Sequence, residues 1–332
     1  MKNKITYFNS KLLLSCFGFY LIFDKIGHNA YIAVILGSLL GIINIYIFDI
    51  LRKKQKELQK YKTLNFIYKL LMTLFSSFLI VLTLATLELF VNTFYLVNTP
   101  KIIIVFSFFL TALYLVYKGN DIIIKLSNIL YPVSLLLVII TCFVTIKYLN
   151  FSEILPIFNF TNLDLIKSTL IYSALSSIPC ILEINFNNNF KDEIKNYLIS
   201  TICLLFICLA TILMLGEELL KMYSFPTYTV LKRVKILNFV ENIESFLSFI
   251  WYFDFIILLA NLLSNLKSTI TNKYIYYILC LILPLIAIYN LGINYINFKL
   301  IIDYTYLIFY IFLFLIIILL VTLHIKHHKK TK

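Results

Sequence analysis

Apolar runs of 18 residues or more recur along the whole of this chain. Each is long enough to cross the hydrocarbon of a bilayer as a helix. The hydrocarbon offers no water to backbone N–H and C=O groups, so only helices and closed barrels span it. A barrel would show short segments of alternating polar and apolar residues, which these long runs do not have. The expected fold is an all-α polytopic membrane protein, one domain over residues 1–332. Composition agrees, with 61% of residues hydrophobic and 14% charged, against about a quarter charged in a soluble domain.

Ten spans are predicted, near residues 10–26, 29–51, 70–96, 100–117, 126–147, 164–186, 195–216, 239–264, 275–294 and 301–325. The first is short and weak, and only the turn Asn98-Thr99-Pro100 separates the third from the fourth. With the N-terminus in the cytoplasm, 20 of the 29 lysines and arginines fall on the cytoplasmic side, Lys11 and the seven from Arg52 to Lys69 among them. That excess follows the positive-inside rule, so both termini are expected in the cytoplasm. Four of the nine outer cations (Lys221, Lys232, Arg233 and Lys235) belong to one loop. Ten spans divide as five plus five, a first repeat over about 10–147 and a second over about 164–325. The odd number inverts the second, as in LeuT-like transporters. That architecture breaks the first helix of each half near mid-membrane, where freed backbone groups hold the ligand. Span 6 has Ser176, Ser177 and Pro179 in its middle; proline removes a backbone donor and serine hydroxyls can satisfy what is freed. Span 1 offers the weaker breaker Ser15-Cys16-Phe17-Gly18. An ordinary kinked helix is the competing reading for both.

Several function classes are poorly supported. Seven glycines and six prolines leave no room for a phosphate-binding loop. The net charge of +13 is topological in a membrane protein, so no nucleic-acid partner is expected. The six cysteines lie in apolar runs without CxxC spacing, as buried thiols do. The histidines are His28 and three in the tail (His324, His327 and His328), with no HExxH or GxSxG pattern. No enzyme activity, metal or cofactor is expected. No cleavable signal peptide is expected either.

Ionisable groups at bilayer depth cost roughly 2.5–3.5 kcal/mol on insertion scales and are functional hypotheses by default. Three stand out: Glu88 in span 3, Glu183 one turn beyond Pro179, and Asp254 following Trp251 in span 8. All three are candidates for ion or proton coupling. Glu183 has an equal reading as an interfacial acid satisfied by Lys191 or solvent.

Three stretches then carry a resemblance. The first runs from Glu88 to the turn Asn98-Thr99-Pro100 and on through Tyr114 to Gly119. The second is Gly119 to Pro132, with Asp121 and Lys125. The third is Phe225-Pro226-Thr227, followed by basic residues and the segment Phe239 to Trp251. In order and spacing the chain resembles the spore germination permeases, the multi-span B subunits of germinant receptors, within the amino acid–polyamine–organocation superfamily. It departs from them at Gly27-His28-Asn29-Ala30-Tyr31, which opens span 2, and in its glycine-poor first span. The resemblance implies a ligand-sensing, permease-like subunit in the spore inner membrane. A small germinant, an amino acid, would bind between broken spans 1 and 6 at Ser15, Gly18, Ser176, Ser177 and Pro179. Other receptor subunits and the lipid bilayer would be its partners. It also implies that Pro226 starts a short helix in the outer loop. Arg233, Glu241 and Glu244 would staple that loop or dock a partner, the two glutamates sharing a face at i, i+3. A proton-coupled amino acid transporter is the alternative. An envelope-glycan polymerase or acyltransferase ranks third, for want of a large outer loop or a mid-membrane histidine.

Overall fold

The computed structural model describes residues 4–181, 189–234, 243–270, 272–293 and 304–331, with the backbone alone at 178, 181, 243–250, 290–293 and 327–331. All regular structure among the described residues is helical. The helices are α1 (Ile5–Leu13), α2 (Phe19–Ile26), α3 (Ala30–Lys53), α4 (Gln55–Gln59), α5 (Lys62–Phe94), α6 (Lys101–Lys118) and α7 (Asn120–Thr145). They continue as α8 (Asn162–Ile181), α9 (Phe190–Met222), α10 (Pro226–Arg233), α11 (Ile243–Thr269), α12 (Lys273–Ile293) and α13 (Thr305–Thr331). Six helical stretches among these residues are long and apolar enough to cross a membrane: Ile5–Lys53, Lys62–Phe94, Lys101–Lys118, Asn120–Tyr148, Phe190–Met222 and Thr305–Lys326. The protein is therefore an all-helical polytopic membrane protein.

Local chemistry explains where the helices stop. Gly119, at φ 108°, is the sole residue between α6 and α7, and a side chain there would be strained. Gly216, at φ 71°, breaks α9 before its last turns, close to the predicted end of span 7. Proline opens α10 at its first position, where a missing N–H costs nothing. This is the short loop helix expected from Pro226.

The first span departs most from expectation. Helix starts at Ile5 rather than near residue 10, and every residue from Ile5 to Phe23 is buried. Its polar residues Tyr7, Asn9, Ser10 and Lys11 do not mark a surface segment, since all four are buried. They are instead the side chains by which a central helix meets its neighbours. Along α9, successive polar side chains engage it: Asn196 Oδ1 accepts from Lys4 Nζ at 3.0 Å, and Ser200 Oγ lies 2.5 Å from Ser10 Oγ. One turn earlier, Glu193 takes both terminal nitrogens of Arg52 from α3.

Close helix approach rests on Gly37 and Gly41 of α3, which present no side chain to α8 and α9. A Cβ at Gly37 would sit 2.7 Å from the Tyr172 ring, and one at Gly41 would overlap the Tyr197 hydroxyl. Tyr197 is buried, and its hydroxyl lies 2.9 Å from Ser176 Oγ, so it has little room to retreat. Small residues four apart allow such contact between membrane helices. Gly41→Val is expected to destabilise by about 1–3 kcal/mol through overpacking, read as a lower unfolding temperature of the detergent-purified protein. An unchanged temperature would show that α3 and α9 can separate freely.

Candidate functional site

The polar centre of the molecule lies where α1, α7 and α11 meet. Lys11 Nζ lies 2.9 Å from Asp254 Oδ2 and donates to Ser134 Oγ at 2.7 Å. The Tyr7 hydroxyl is 3.1 Å from the same Ser134 oxygen, and the ammonium stands 4.8 Å over the Tyr7 ring. Lys11 is 2% exposed and Asp254 0%. A single charge in such surroundings costs several kcal/mol, and an oppositely charged neighbour offsets much of that cost. Asp254 Oδ1 accepts no hydrogen bond among the described residues. The carboxylate thus relies on the lysine alone for its neutralisation there. Lys11 corrects the sequence reading, which counted it as a cytoplasmic surface cation.

Next to this pair the first span changes winding. Leu14–Gly18 forms a π-helical segment, a local widening that recurs at functional sites. Ser15 Oγ donates to Leu12 O at 3.1 Å. The Ser15 carbonyl accepts from Thr227 Oγ1 of α10 at 2.6 Å, so a hydroxyl on the loop helix bonds to the backbone within the π-helical segment. At the residues offered as a breaker the first span stays helical and widens to π winding, with no extended chain. A cavity of about 60 Å³ runs alongside, with Lys11, Ser15, Thr141, Thr211, Thr227 and Trp251 among its lining residues. Such a space holds a few waters and joins the ion pair to the underside of α10.

The other predicted binding residues cluster on α8. Gly18 packs against α8, since a Cβ there would sit 2.8 Å from Leu175 Cδ1. Ser176 Oγ meets Tyr197 as above, and Ser177 Oγ donates to Ser173 O at 2.6 Å while accepting from Asn44 Nδ2 at 3.1 Å. Pro179 remains within α8, and its carbonyl accepts from Asn261 Nδ2 of α11 at 3.4 Å. The structure therefore brings Ser15 to the cavity wall and places Ser176, Ser177 and Pro179 in contacts with α3, α9 and α11.

Glu88 is buried in α5 and accepts from Asn92 Nδ2 at 3.1 Å. Two residues on, Phe90 anchors an aromatic cluster, with ring centres of Trp251 at 4.9 Å, Tyr228 at 5.3 Å and Phe225 at 5.6 Å. The basic loop thereby acquires its local role. Lys232 stands 4.7 Å over the Phe94 ring, a cation–π contact that holds the end of α10 on the cluster. Arg233 is exposed at the end of α10, in the wall of an outer pocket with Phe94 and Lys232. Glu183 and Glu241 lie outside the described residues, as does the side chain of Glu244. No group of three or more metal-binding side chains occurs among the described residues.

Sequence reasoning missed Lys11, Tyr7, Ser134 and Thr227. A usable signal existed for the first, because an acid as deep as Asp254 needs a cation and Lys11 stands beside an apolar run. No local signal marked Tyr7 or Ser134, and Thr227 stood in the Phe225-Pro226-Thr227 stretch without a role assigned to it.

A family model described as spore germination protein, the spore permease family, matches residues 18–275. The chain belongs to that family. Spore permeases are permease-type membrane proteins, not a known enzyme family. The match to the spore permease family takes in Glu88, α8, α10 and Asp254, while Lys11 and Ser15 lie ahead of it. Among curated proteins none matches the chain.

Replacing one member of the ion pair strands the other. Lys11→Met and Asp254→Asn are each expected to cost about 3–5 kcal/mol, whereas the double variant recovers much of that loss. Thermal unfolding of the four proteins as a double-mutant cycle measures it. Additive losses would mean that the two charges are not coupled.

Proposed function

We propose that the chain is a ligand-sensing, permease-like subunit of a spore germinant receptor. In this reading it lies in the spore inner membrane with both termini cytoplasmic, as ten spans in two inverted repeats. A small germinant, an amino acid, binds between the first span and α8. The observation that supports this most is the Ser15 carbonyl, which lies within the π-helical segment and accepts from the Thr227 hydroxyl. An α-ammonium group is a stronger donor than a hydroxyl and would compete for that oxygen, lifting α10 as it does so. The Ser176 and Ser177 hydroxyls, bonded here to Tyr197 and Asn44, would exchange those partners for the carboxylate as α8 moves. The cavity beside Ser15 is too small for an amino acid, so ligand entry requires movement, and movement is what partner subunits can read. A ligand that favours the opened arrangement shifts the equilibrium toward it.

The test is thermal stabilisation of the purified protein by a panel of amino acids and nucleosides. A ligand present at 100 times its Kd stabilises the folded state by about 2.7 kcal/mol. An amino acid is expected to raise the unfolding temperature in a concentration-dependent way, and Ser176→Leu to remove the shift. A nucleoside that shifts it alone, or an amino acid shift that Ser176→Leu leaves intact, would sink the pocket as described.

The buried Lys11–Asp254 pair beside the cavity favours a second reading, a proton-coupled amino acid transporter. In proteoliposomes that reading predicts uptake driven by a proton gradient and abolished by Asp254→Asn or Glu88→Gln. Ligand-induced stabilisation without any uptake would leave the sensor alone.

A further inference from the structure

On the loop-helix side of the molecule, three chain segments converge on one imidazole. His28 lies in the turn Gly27–Asn29 between α2 and α3 and is 2% exposed. Its Nδ1 is 2.8 Å from Glu217 Oε2 of α9, and its Nε2 is 2.6 Å from the carbonyl oxygen of Pro156 in the loop before α8. Neither partner brings a proton of its own, because a carbonyl oxygen and a carboxylate only accept. Both ring nitrogens must donate to make both bonds, which requires the imidazolium. Asn29 Nδ2 also approaches Nε2, at 3.1 Å. The Asn29 amide is oriented by its own Oδ1, which accepts from the Phe158 N–H at 3.1 Å, so this approach sets two donors side by side. A neutral ring accepting from Asn29 would turn a lone pair toward the Pro156 oxygen at 2.6 Å.

The charges around the ring suit a cation. From α9, Glu217 lies against Gly27, with its other oxygen held by Lys221 Nζ at 2.6 Å. Glu218 beside it is exposed. From the loop, the Glu153 carboxylate packs against Gly216 and accepts from Asn150 Nδ2 at 3.2 Å. On α2, Asp24 is exposed and Lys25 half-buried, and α3 contributes the half-buried Tyr31.

We propose that His28 is a proton-operated latch that ties the end of the first span to the loop before α8 and to the end of α9. Protonated, it holds all three segments together. Once neutral, it has one N–H for two acceptors, so either Pro156 or Glu217 is released. Histidine is the side chain whose charge ordinarily changes between pH 5 and 8, and that range is the one in which the latch is tested. Two of the segments it joins, the first span and the loop leading into α8, belong to the elements between which the germinant is proposed to bind, and its effect on ligand response rests on that reading. The latch itself needs no ligand to be observed.

The Phe158 amide provides the readout, being protected by Asn29 beside the latch. In ligand-free, full-length protein, hydrogen–deuterium exchange of the peptide containing Phe158 is followed from pH 5.5 to 8.5 and corrected for intrinsic exchange. Protection is expected to fall about tenfold or more across that range, as befits loss of a hydrogen bond to a charged group. In His28→Gln it should be low and independent of pH. Glu217→Gln, which keeps the imidazole, should flatten the pH response while leaving the amides of α8 protected. Replacing His324, His327 and His328 with glutamine should change nothing. Protection in the unaltered protein that does not vary with pH, or a response that survives His28→Gln, would overturn the latch. Either result would leave the ligand pocket untouched.

Discussion

An ammonium and a carboxylate, neither able to stand alone in low-dielectric surroundings, hold the first helix at the centre of this protein. Lys11 and Asp254 are far apart in sequence and 2.9 Å apart in space. Much of the remaining arrangement follows from their meeting. α1 must lie deep enough to present its lysine to α11, and this buries Tyr7, Asn9 and Ser10 as well. Tyr7 then meets Ser134 on α7 and Ser10 meets Ser200 on α9, while Lys4, just ahead of α1, donates to Asn196. A helix that read as the weakest of the set is therefore the most enclosed.

This is also where reading from sequence reached its limit. Hydropathy works on runs, and it discounts a segment in which tyrosine, asparagine, serine and lysine follow one another. Where polarity instead faces protein, as on α1, hydropathy underestimates the helix. Features set by one or two residues were legible: the start of α10 at Pro226 and the enclosure of Glu88 and Asp254; at Ser15 to Gly18 a break and a kink were both open, and the helix is π-wound there. Pairings such as Thr227 with Ser15 depend on how elements come together and leave no local trace. Gly37 and Gly41 were legible in principle, as small residues four apart in an apolar helix, yet they become informative only beside Tyr172 and Tyr197.

The π-helical segment and α10 act as one unit. The Ser15 carbonyl lies within the widened winding, and a threonine from the loop helix donates to it. The loop helix is held in turn by its aromatic residues on Phe90 and by Lys232 over Phe94. The first span thus meets the loop helix region through the Thr227–Ser15 hydrogen bond and through ring contacts such as Phe17 on Phe225. Rings in offset and edge contacts tolerate small displacements better than a fully bonded polar network does. A joint of this kind can shift while remaining closed to water.

The chain has one tryptophan, and it sits at this joint. Trp251 is 9% exposed, packs on Phe90, lies 6.0 Å from Tyr228 between ring centres and lines the cavity beside Lys11. Indole emission depends on the polarity around the ring and is quenched by neighbouring groups. The protein consequently carries an intrinsic optical probe where the first span, the loop helix and the aromatic cluster meet. Its fluorescence reports that place alone, without a label and against no other indole.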